Sequence, residues 1–342
     1  MKLFMPNRVI FEPSSLEYPL GREIYDYFKN KPVEIIEATS RNAARYIPGS
    51  TPAEKYANSK KTILFTTNKN NKLDVCRPSA DYQFSLVSNC PGNCEYCYLQ
   101  TTQGAKPYIK AFVNLEDFFS VIKDHIKQND NKVTTFEAAS LGDPLALEHI
   151  TGSLAKTIEF FSNLENGRLR VVTKFSNVES LLQLNHNNNT HFRISINSNY
   201  VLNNFEHNTE SIDERIGAVI KLANAGYPIG FIVAPIMIYD NWKEEYALLF
   251  QKLKNCLGSE LSGKEMSFEL IQHRFTAVAK DLILQRFPNT KLDMDEEKRN
   301  LKWGRFGRFK YVYPKDKAED IKDYIKSLIV ERFPKAEIKY FT

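Results

Sequence analysis

From Tyr82 onward, the sequence alternates short runs of strand-forming residues with helical patterns, and this alternation is the strongest constraint on its fold. Strands rich in Val, Ile and Phe that alternate with amphipathic helices predict βαβ units and a parallel sheet. The predicted strands are 82–88, 133–139, 168–175, 191–197, 228–236 and 265–272, and the predicted helices are 115–128, 144–163, 177–184, 210–224 and 242–255. Roughly six such units predict an α/β fold, an incomplete (β/α)6 barrel of the TIM type rather than a closed eight-stranded one.

Smaller elements are predicted on both sides of the barrel, which would span 81–275. Residues 1–80 predict an N-terminal α/β unit with a strand at Val9–Phe11, a helix that Ser14 or Ser15 caps and that ends near Asn30, and strands at Val33–Ile36 and Thr62–Thr67. Residues 276–342 predict an extension that contains a helix at 276–287, a β-hairpin near 302–311, a helix at 317–332 and a strand at 337–341.

Composition places the chain among globular proteins. Of its 342 residues, 42% are hydrophobic and 25% are charged, which is typical of a folded chain. The N-terminus lacks the apolar core of a signal peptide, and no apolar run approaches the length of a membrane span. A soluble, cytoplasmic protein without a membrane partner is therefore expected. The net charge of +5 permits a nucleic-acid partner without requiring one.

Three of the five cysteines lie in one short stretch, Cys90-Pro-Gly-Asn-Cys94-Glu-Tyr-Cys97, with the spacing C-x3-C-x2-C. Such crowding makes a poor disulfide framework and fits a reducing compartment. Thiolates suit iron–sulfur clusters, copper(I) and zinc. Structural zinc usually takes four protein ligands, often as two separated pairs, and no second pair is present. The spacing therefore favours a [4Fe-4S] cluster in which three irons have cysteine ligands and one iron stays open.

This stretch, with Tyr98 beside Cys97, resembles that of the S-adenosylmethionine radical superfamily. The resemblance implies that the open iron binds the amino and carboxylate groups of S-adenosylmethionine. One electron then cleaves that cofactor to methionine and a 5′-deoxyadenosyl radical.

A closer resemblance, to the spore photoproduct lyase family, extends over nearly the whole chain. It is carried by the stretches Cys97–Tyr108, Phe136–Ala138, Val172–Phe175, Phe192–Asn197, Ala225–Pro235, Phe268–Phe275, Lys302–Arg305 and Tyr340–Thr342. The resemblance implies an incomplete (β/α)6 barrel and a lyase that converts the ultraviolet-induced thymine adduct of spore DNA, 5-thyminyl-5,6-dihydrothymine, back to two thymines. It also implies double-stranded DNA as substrate, a flavodoxin or ferredoxin as electron donor, a monomer, and a place in the spore core or germinating spore.

The resemblance assigns the cofactor residues one by one. Lys174, Ser195, Asn197 and the backbone at Ala234 match positions that hold S-adenosylmethionine, and Tyr98 matches a position beside its adenine. Each follows or ends a predicted strand, where an ammonium can pair with a carboxylate and hydroxyl or amide groups can hydrogen-bond. Glu137 and Asp143 are weaker candidates to support the cofactor or the lesion. Gly142 departs from the family, where a serine often contributes a contact.

The catalytic positions contain the most informative departure. In the family, a cysteine returns a hydrogen atom to the thymine radical, and this chain has Ser140 at that position. A serine O–H bond is too strong for this step, so either Ser140 is an engineered replacement or another thiol acts. Cys76 is the candidate, since Cys256 is expected on the buried face of a helix. Tyr96 and Tyr98 match family tyrosines that relay the radical back to the cofactor.

The segment 302–311 is the predicted DNA-binding element. It alternates cations with aromatic rings, a combination typical of single-strand binding, and the family inserts such a hairpin into the duplex while the lesion is flipped out. The predicted contacts are Lys302, Trp303, Arg305, Phe306, Lys310 and Tyr311. His273 and Arg274, after the last barrel strand, could face phosphate or substrate, or serve only structural hydrogen bonds.

Two other functions remain open at this point. The first is a radical enzyme that acts on another substrate, such as a tRNA or a peptide. The second is a zinc-stabilised nucleic-acid-binding module without catalysis. Iron content separates the second from both enzymes, and the substrate assay separates the two enzymes.

Overall fold

The computed structural model describes residues 3–39, 42–69, 72–102, 107–304, 307 and 309–342. The α-helices are, in chain order, α1 (Pro19–Lys29), α2 (Pro52–Ser59), α3 (Leu99–Thr102), α4 (Leu115–Gln128), α5 (Glu148–Thr151), α6 (Ser153–Ser162), α7 (Asn199–Phe205), α8 (Ile212–Asn224), α9 (Trp242–Ser262), α10 (Ala277–Arg286) and α11 (Lys315–Arg332). The strands are β1 (Arg8–Phe11), β2 (Glu34–Glu37), β3 (Thr62–Thr66), β4 (Asp74–Val75), β5 (Tyr82–Gln83), β6 (Val87–Ser88), β7 (Ile109–Phe112), β8 (Thr134–Glu137), β9 (Gly167–Thr173), β10 (Thr190–Ile196), β11 (Ile229–Ile236), β12 (Met266–Gln272), β13 (Asn300–Trp303), β14 (Phe309–Val312) and β15 (Ala336–Phe341).

The chain divides into two compact units, and the first contains the described residues of 1–91 and 103–192. One of its sheets has the strand order β2-β1-β3-β7-β6. The β1–β2, β1–β3 and β3–β7 pairs are parallel, and β6 pairs antiparallel with β7. In the same unit, β9, β8 and β5 are parallel neighbours and β4 pairs antiparallel with β5. The ends of β6, β8 and β9 carry the candidate site residues of this unit.

The second unit contains 92–102 and 193–342. Its strands lie in the order β10, β11, β12, β15, and β12 pairs in parallel with both β11 and β15. The helices α7 to α9 lie between these strands along the chain. A separate antiparallel hairpin, β13–β14, follows α10. Parallel strands joined by helices bury both faces of a sheet, which explains the apolar strand sequences.

Aromatic side chains fill the core of each unit. In the first, the rings of Phe119 and Phe160 stack with centroids 4.0 Å apart, which joins α4 to α6. In the second, Phe231 stacks on Phe268 at 5.1 Å, and Phe268 also contacts Phe333 from the end of α11 at 5.5 Å. These rings are large apolar surfaces with preferred offset or edge contacts, so they hold helices against strands in fixed positions.

The mixed α/β class and the strand–helix alternation agree with the prediction. The helix predicted at 115–128 is α4 (Leu115–Gln128), and the predicted hairpin is β13–β14. The finer (β/α)6 barrel and the division at 80 and 275 stay predictions.

Four predicted elements were wrong. The strand predicted at 82–88 is two short strands in different sheets, β5 and β6. The helix predicted at 144–163 is interrupted at Gly152, whose φ of +57° suits glycine. The helix predicted at 177–184 is only a 3₁₀ turn at Glu179–Leu181. In the first unit, α1 starts at Pro19 rather than after Ser14 or Ser15, because Pro13–Glu17 forms a separate 3₁₀ turn.

No helix in the described ranges is both long and apolar enough to cross a membrane.

Glu148 joins α5 to α6 through a buried carboxylate. Its two oxygens accept hydrogen bonds from the backbone N–H groups of Leu154 (2.8 Å) and Ala155 (3.0 Å), in the first turn of α6. These N–H groups have no partner within the helix, so the carboxylate caps it. Burial nevertheless raises the pKa of Glu148 from 4.5 to about 7, against the lowering effect of the two hydrogen bonds.

We expect this carboxyl to make the unfolding free energy fall as pH rises. Between pH 4.5 and about 7 the folded chain holds the Glu148 proton more tightly than the unfolded chain, so raising the pH favours unfolding. The effect is on the order of 3 kcal/mol across that window. Urea unfolding at several pH values should show a flatter profile for Glu148→Gln. The matched variant Glu159→Gln, at an exposed position of α6, should keep the wild-type slope, and equal profiles for both variants would contradict this assignment.

Candidate active site

The first cysteine of the motif, Cys90, follows β6 through a residue in the left-handed region. Asn89 has φ +68°, a conformation that asparagine tolerates better than most residues. Its side-chain oxygen accepts the Cys90 backbone N–H at 2.8 Å, and its side-chain nitrogen donates to the Pro107 carbonyl. The Lys60 ammonium donates to the Cys90 carbonyl and, at 3.4 Å, to Asn89. The backbone of Cys90 is therefore held from both sides.

Gly142 brings a second loop against Asn89. The backbone N–H of Asn89 donates to the Leu141 carbonyl at 2.6 Å, and Asn89 and Gly142 form a parallel bridge. A Cβ atom at Gly142 would lie 2.4 Å from the Asn89 carbonyl oxygen and 2.8 Å from Val87 Cγ2. A side chain at position 142 would therefore require the backbone to shift. This gives a physical reason why the chain has glycine here, where the family often has serine.

Cys76 and Ser140 lie side by side in the first unit. Cys76 Sγ is 3.3 Å from Ser140 Oγ, although the two residues are far apart in sequence. Cys76 is partly buried and begins a turn in which its carbonyl accepts from Ser79 and Ala80. Ser79 Oγ in turn donates to Glu137 at 3.2 Å, at the end of β8. The turn therefore fixes the Cys76 thiol next to the position where the family has its cysteine.

The end of β9 is organised by Asp143. Its carboxylate accepts from Thr173 Oγ1 at 2.9 Å and from the Lys174 backbone N–H at 3.1 Å. Burial raises the pKa of Asp143 to about 6, although these hydrogen bonds lower it. Glu137 likewise accepts the Ala139 backbone N–H at 3.1 Å. Both carboxylates thus shape the loops that carry Ser140 and Lys174.

In the second unit, the rest of the cysteine segment is paired with residues 205–207. The Asn93 N–H donates to the His207 carbonyl at 2.7 Å, and the Glu95 N–H donates to the Phe205 carbonyl at 2.9 Å. The Glu95 carboxylate lies 2.8 Å from His207 Nε2 and accepts from Thr290 Oγ1. These contacts leave Cys94 buried and Cys97 partly buried, with the Cys97 N–H bonded to the Cys94 carbonyl at 3.2 Å.

Tyr96 connects this segment to a buried ion pair. Its hydroxyl donates to Glu206 Oε1, and Arg215 Nη2 donates to Glu206 Oε2 at 2.6 Å. Arg215 Nη1 also donates to the Ser195 carbonyl at 3.0 Å. Burial lowers the pKa of Arg215, but the surrounding groups, with Glu206 foremost, together raise it above its usual value, so the guanidinium stays charged. The side chains of Tyr96, Glu206 and Arg215 therefore form a continuous path from the cysteine segment to β10.

The Asn197 side chain bonds the backbone directly after Ala234, near the ends of β10 and β11. Asn197 Nδ2 donates to the Pro235 carbonyl at 2.8 Å, and its oxygen accepts from the buried Tyr246 hydroxyl at 2.8 Å. The Asn197 side chain thus supports the backbone that follows Ala234. Ser195, which precedes Asn197 in the chain and lies within β10, is also buried.

The three motif cysteines have the chemistry of a cluster site. Three soft sulfur donors at this spacing fit an iron–sulfur cluster. Across the described ranges, no three metal-binding side chains are gathered closely enough to hold an ion. The cluster therefore stays a prediction from spacing and thiol chemistry.

The predicted DNA-binding hairpin exposes its aromatic residues. Trp303 is 63% exposed and Phe309 is 54% exposed, and their rings meet edge to face at 4.8 Å. Tyr311 is partly buried and stacks on Phe275 at 5.2 Å. Lys302 and Lys310 lie directly opposite each other. Arg305 and Phe306, two further predicted contacts, lie outside the described residues.

Two weaker sequence-based expectations change. Cys256 is exposed, so its predicted burial was wrong. The buried residues of α9 are Leu249, Phe250, Leu253 and Leu257, and position 256 lies outside this apolar face.

His273 is buried, and burial together with the charge of Arg299 lowers its pKa to about 3. A neutral imidazole at this place fits structural hydrogen bonding rather than phosphate binding.

Several residues of the site carry no sequence signal. Glu206, Arg215, Thr290 and Tyr246 reach their partners across long sequence separations, and none belongs to a motif with fixed spacing. Glu206, Arg215 and Tyr246 are marked, once the fold is known, only by their burial as charged or polar residues, which requires partners. Thr290 is only partly buried, and its contact with Glu95 marks it.

The chain matches the sequence profile of the spore photoproduct lyase family over residues 4–342. It is 48% identical over 343 residues to the spore photoproduct lyase of Geobacillus sp. (strain Y412MC61), with 100% of both chains covered. It is 46% identical to that of Bacillus subtilis (strain 168), with 99% of each chain covered. The chain therefore belongs to the spore photoproduct lyase family, which is a family of lyases, and the resemblance drawn from its motifs is confirmed.

Solved structures of this family match over the full length. One is a spore photoproduct lyase complexed with dinucleoside spore photoproduct, with a TM-score of 0.97, 47% identity and 100% coverage of both chains. Another is a variant enzyme with bound AdoMet and dinucleoside spore photoproduct, with a TM-score of 0.96, 47% identity and the same coverage.

We expect Arg215→Met to lower the free energy of unfolding by roughly 3–5 kcal/mol, because it leaves the buried Glu206 carboxylate without its ion pair. Tyr96→Phe removes one hydrogen bond to the same charged carboxylate and should cost about 1.5–3 kcal/mol. Urea unfolding measures both. Lys252→Met, which breaks an exposed pair with Asp213, is the matched control and should cost less than about 1 kcal/mol. Equal costs for Arg215→Met and Lys252→Met would contradict the role given to the buried pair.

Proposed function

We propose that this chain is a radical S-adenosylmethionine lyase that repairs ultraviolet-damaged double-stranded DNA by converting the spore photoproduct to two thymines. The proposal includes the finer points that family membership leaves open: the radical chemistry, the [4Fe-4S] cluster and the hydrogen-atom donor. A cytoplasmic place in the spore, a monomer and a flavodoxin- or ferredoxin-type electron donor belong to the same proposal.

The observation that carries the proposal is the 3.3 Å contact between Cys76 Sγ and Ser140 Oγ. A thiol at 76 lies next to the side chain that occupies the position of the family cysteine. It can therefore act on the same part of a bound lesion after a small shift. If Cys76 supplies the thiol, Ser140 does not have to be explained as an engineered substitution that abolishes catalysis.

A solved relative supports the exchange of positions. In that variant, the cysteine at its position 140 is replaced by alanine and the serine at its position 76 by cysteine, and it holds AdoMet and the dinucleoside photoproduct. In this chain, serine stands at 140 and cysteine at 76. Before substitution, that relative therefore had a serine where this chain has Cys76 and a cysteine where this chain has Ser140.

The chemistry assigned to Cys76 is a hydrogen-atom transfer. When bound, the cluster and S-adenosylmethionine would supply the 5′-deoxyadenosyl radical that takes one hydrogen atom from the lesion. The carbon–carbon bond between the bases then breaks, which leaves one thymine and one thymine radical. The S–H bond of Cys76 breaks, a C–H bond forms on the thymine radical, and Cys76 is left as a thiyl radical.

Tyr98 and Tyr96 are proposed to return a hydrogen atom to Cys76. Tyr98 is 54% exposed, whereas the Tyr96 hydroxyl already donates to Glu206. The hydrogen bond to Glu206 holds Tyr96 within the cysteine segment, and both tyrosines keep the proposed role of relaying the radical back to the cofactor.

Cofactor binding is proposed for the residues that the family resemblance assigned. Cys90, Cys94 and Cys97 would hold the cluster, and Lys174, Ser195, Asn197, Ala234 and Tyr98 would hold S-adenosylmethionine. The Lys174 ammonium supplies a charge for the methionine carboxylate. Because the Asn197 amide is engaged with Pro235 and Tyr246, its role would be to hold the Ala234–Pro235 backbone in place.

The two alternative functions differ from this proposal in simple measurements. Anaerobic purification should give a brown protein that contains iron and sulfide and cleaves S-adenosylmethionine. A colourless, zinc-containing protein would instead favour the non-catalytic module. An iron-containing protein that cleaves the cofactor but leaves photoproduct DNA unchanged would favour another substrate.

We expect Cys76→Ala to turn repaired thymine from the main product into a minor one, because the thymine radical then has no thiol donor and is trapped as by-products. Chromatography with mass spectrometry of the digested DNA measures both. Adding Ser140→Cys to the Cys76→Ala variant should restore clean repair, since it returns a thiol to the neighbouring position.

The control for this test is Cys256→Ala, which removes an exposed thiol on α9 and should leave the product ratio unchanged. Cys76 is not the donor if thymine remains the main product after Cys76→Ala.

A further inference from the structure

The Cys76 thiol is carried by a turn, residues 76–81, that joins two very short strands. β4 and β5 are two residues long each, and β4 ends the strand order of its sheet. The turn is closed by the Cys76 N–H, which donates to the Asp81 carbonyl at 3.1 Å. A hairpin this short has little stability of its own, so the place of the thiol depends on contacts with the neighbouring strand.

Two carboxylates attach this turn to β8. At the end of the turn, the Asp81 carboxylate accepts from the Thr135 N–H at 3.1 Å and from the Thr135 hydroxyl at 2.7 Å, and the Asp81 N–H donates to the same hydroxyl at 2.9 Å. Nearer to the thiol, Ser79 Oγ donates to Glu137 Oε2 at 3.2 Å. Thr135 and Glu137 lie two residues apart in β8, so their side chains share one face of the strand.

Glu137 also holds the loop of Ser140. Its Oε1 accepts the backbone N–H of Ala139 at 3.1 Å, directly before Ser140, so one carboxylate joins this loop to the turn of Cys76. The backbone of Glu137 is itself fixed in the sheet, where its carbonyl accepts from the Phe84 N–H at 3.0 Å. The residue is 2% exposed, and losing a hydrogen bond to a buried carboxylate is costly.

The direct contact between Cys76 and Ser140 is weaker than these hydrogen bonds. Cys76 Sγ lies 3.3 Å from Ser140 Oγ, and a thiol is a weak donor and a weak acceptor. Hydrogen bonds to a carboxylate are stronger. The Glu137 carboxylate therefore has the larger part in keeping the thiol beside position 140.

We infer that Glu137 is the positioning residue of the hydrogen-atom donor, because it holds the turn of Cys76 against the loop of Ser140. This role rests on the proposed function, in which Cys76 supplies the hydrogen atom. The sequence offered Glu137 as support for the cofactor or the lesion, whereas here its effect on the chemistry passes through the Cys76 thiol. All of these residues belong to the first unit.

The first test measures the position of the thiol without catalysis. In the Ser140→Cys variant, a second thiol lies next to Cys76, and a disulfide between positions 76 and 140 forms only within a narrow range of geometry. The full-length protein is equilibrated in glutathione redox buffer, and mass spectrometry of the digest compares this disulfide with the mixed glutathione disulfide of Cys76. We expect the addition of Glu137→Ala to lower that ratio roughly tenfold, because a loosened turn lowers the effective concentration of the thiol.

The second test measures the products formed from photoproduct DNA by chromatography with mass spectrometry, with Ser140 intact. We expect Glu137→Ala to lower the ratio of repaired thymine to trapped by-products roughly tenfold, because a small displacement slows a positioned reaction steeply. Ser79→Ala, which cuts only the side toward Cys76, should lower the ratio by less. Glu137→Gln should retain most of it, since its amide keeps an oxygen for the Ala139 N–H and a polar group for Ser79.

The matched control is Glu148→Ala. It also removes a buried carboxylate that accepts two backbone hydrogen bonds in the first unit, so its melting temperature should fall as that of Glu137→Ala does. Lower stability reduces the total amount of product but not the ratio of thymine to by-products, which should stay at the wild-type value. Equal product ratios for Glu137→Ala and Glu148→Ala would overturn the positioning role.

The disulfide measurement needs neither repair nor the cluster, so it separates this role from the proposed function. If thymine remains the main product after Cys76→Ala, the donor role of Cys76 fails, and the positioning of a donor by Glu137 fails with it, even where Glu137→Ala lowers the disulfide ratio. If Cys76→Ala yields by-products but Glu137→Ala leaves the disulfide ratio unchanged, Cys76 stays the donor and the positioning role of Glu137 is overturned.

Discussion

The buried ion pair between Arg215 and Glu206 is the interaction on which the cysteine-bearing segment of the second unit depends. Neither side chain is exposed to solvent, and moving two charges out of water costs several kcal/mol for each ion. That cost is offset only because Arg215 also donates to the Ser195 and Glu210 carbonyls and to Thr209, while Glu206 accepts from Tyr96. Such a pair has a strict geometry, so it fixes the cysteine-bearing segment relative to β10.

In the first unit, a steric constraint has the equivalent effect. The approach of Gly142 to the Asn89 carbonyl leaves no room for a Cβ atom, and it fixes the loop of Ser140 next to the residue that precedes Cys90. The turn at Cys76 then places a thiol 3.3 Å from Ser140. Cys76 therefore lies beside the position where the family has its cysteine, and the proposed donor role of Cys76 rests on this contact.

The sequence predicted those features that depend on local pattern. Amphipathic spacing located α4, and the matching stretches from Cys97–Tyr108 to Tyr340–Thr342 identified the family. The sequence-based prediction was wrong where tertiary contacts determine the structure. The apolar run 82–88 divides between two sheets, because Phe84 bonds to the end of β8 whereas Val87 pairs with β7. Glu206, Arg215 and Tyr246 were missed because buried polar contacts across long separations leave no periodic signal. The proximity of Cys76 to Ser140 could be suspected only through the family comparison.

The origin of the hydrogen atom returned to thymine tests the account most directly. A thiol proton exchanges with solvent, whereas hydrogen bonded to carbon does not. When the enzyme acts on photoproduct DNA in deuterium oxide under single-turnover conditions, the account requires deuterium in the repaired thymine, detected by mass spectrometry. That deuterium should disappear from the small amount of thymine made after Cys76→Ala. Repaired thymine without deuterium from the wild-type enzyme would contradict a thiol donor, and with it the role given to Cys76.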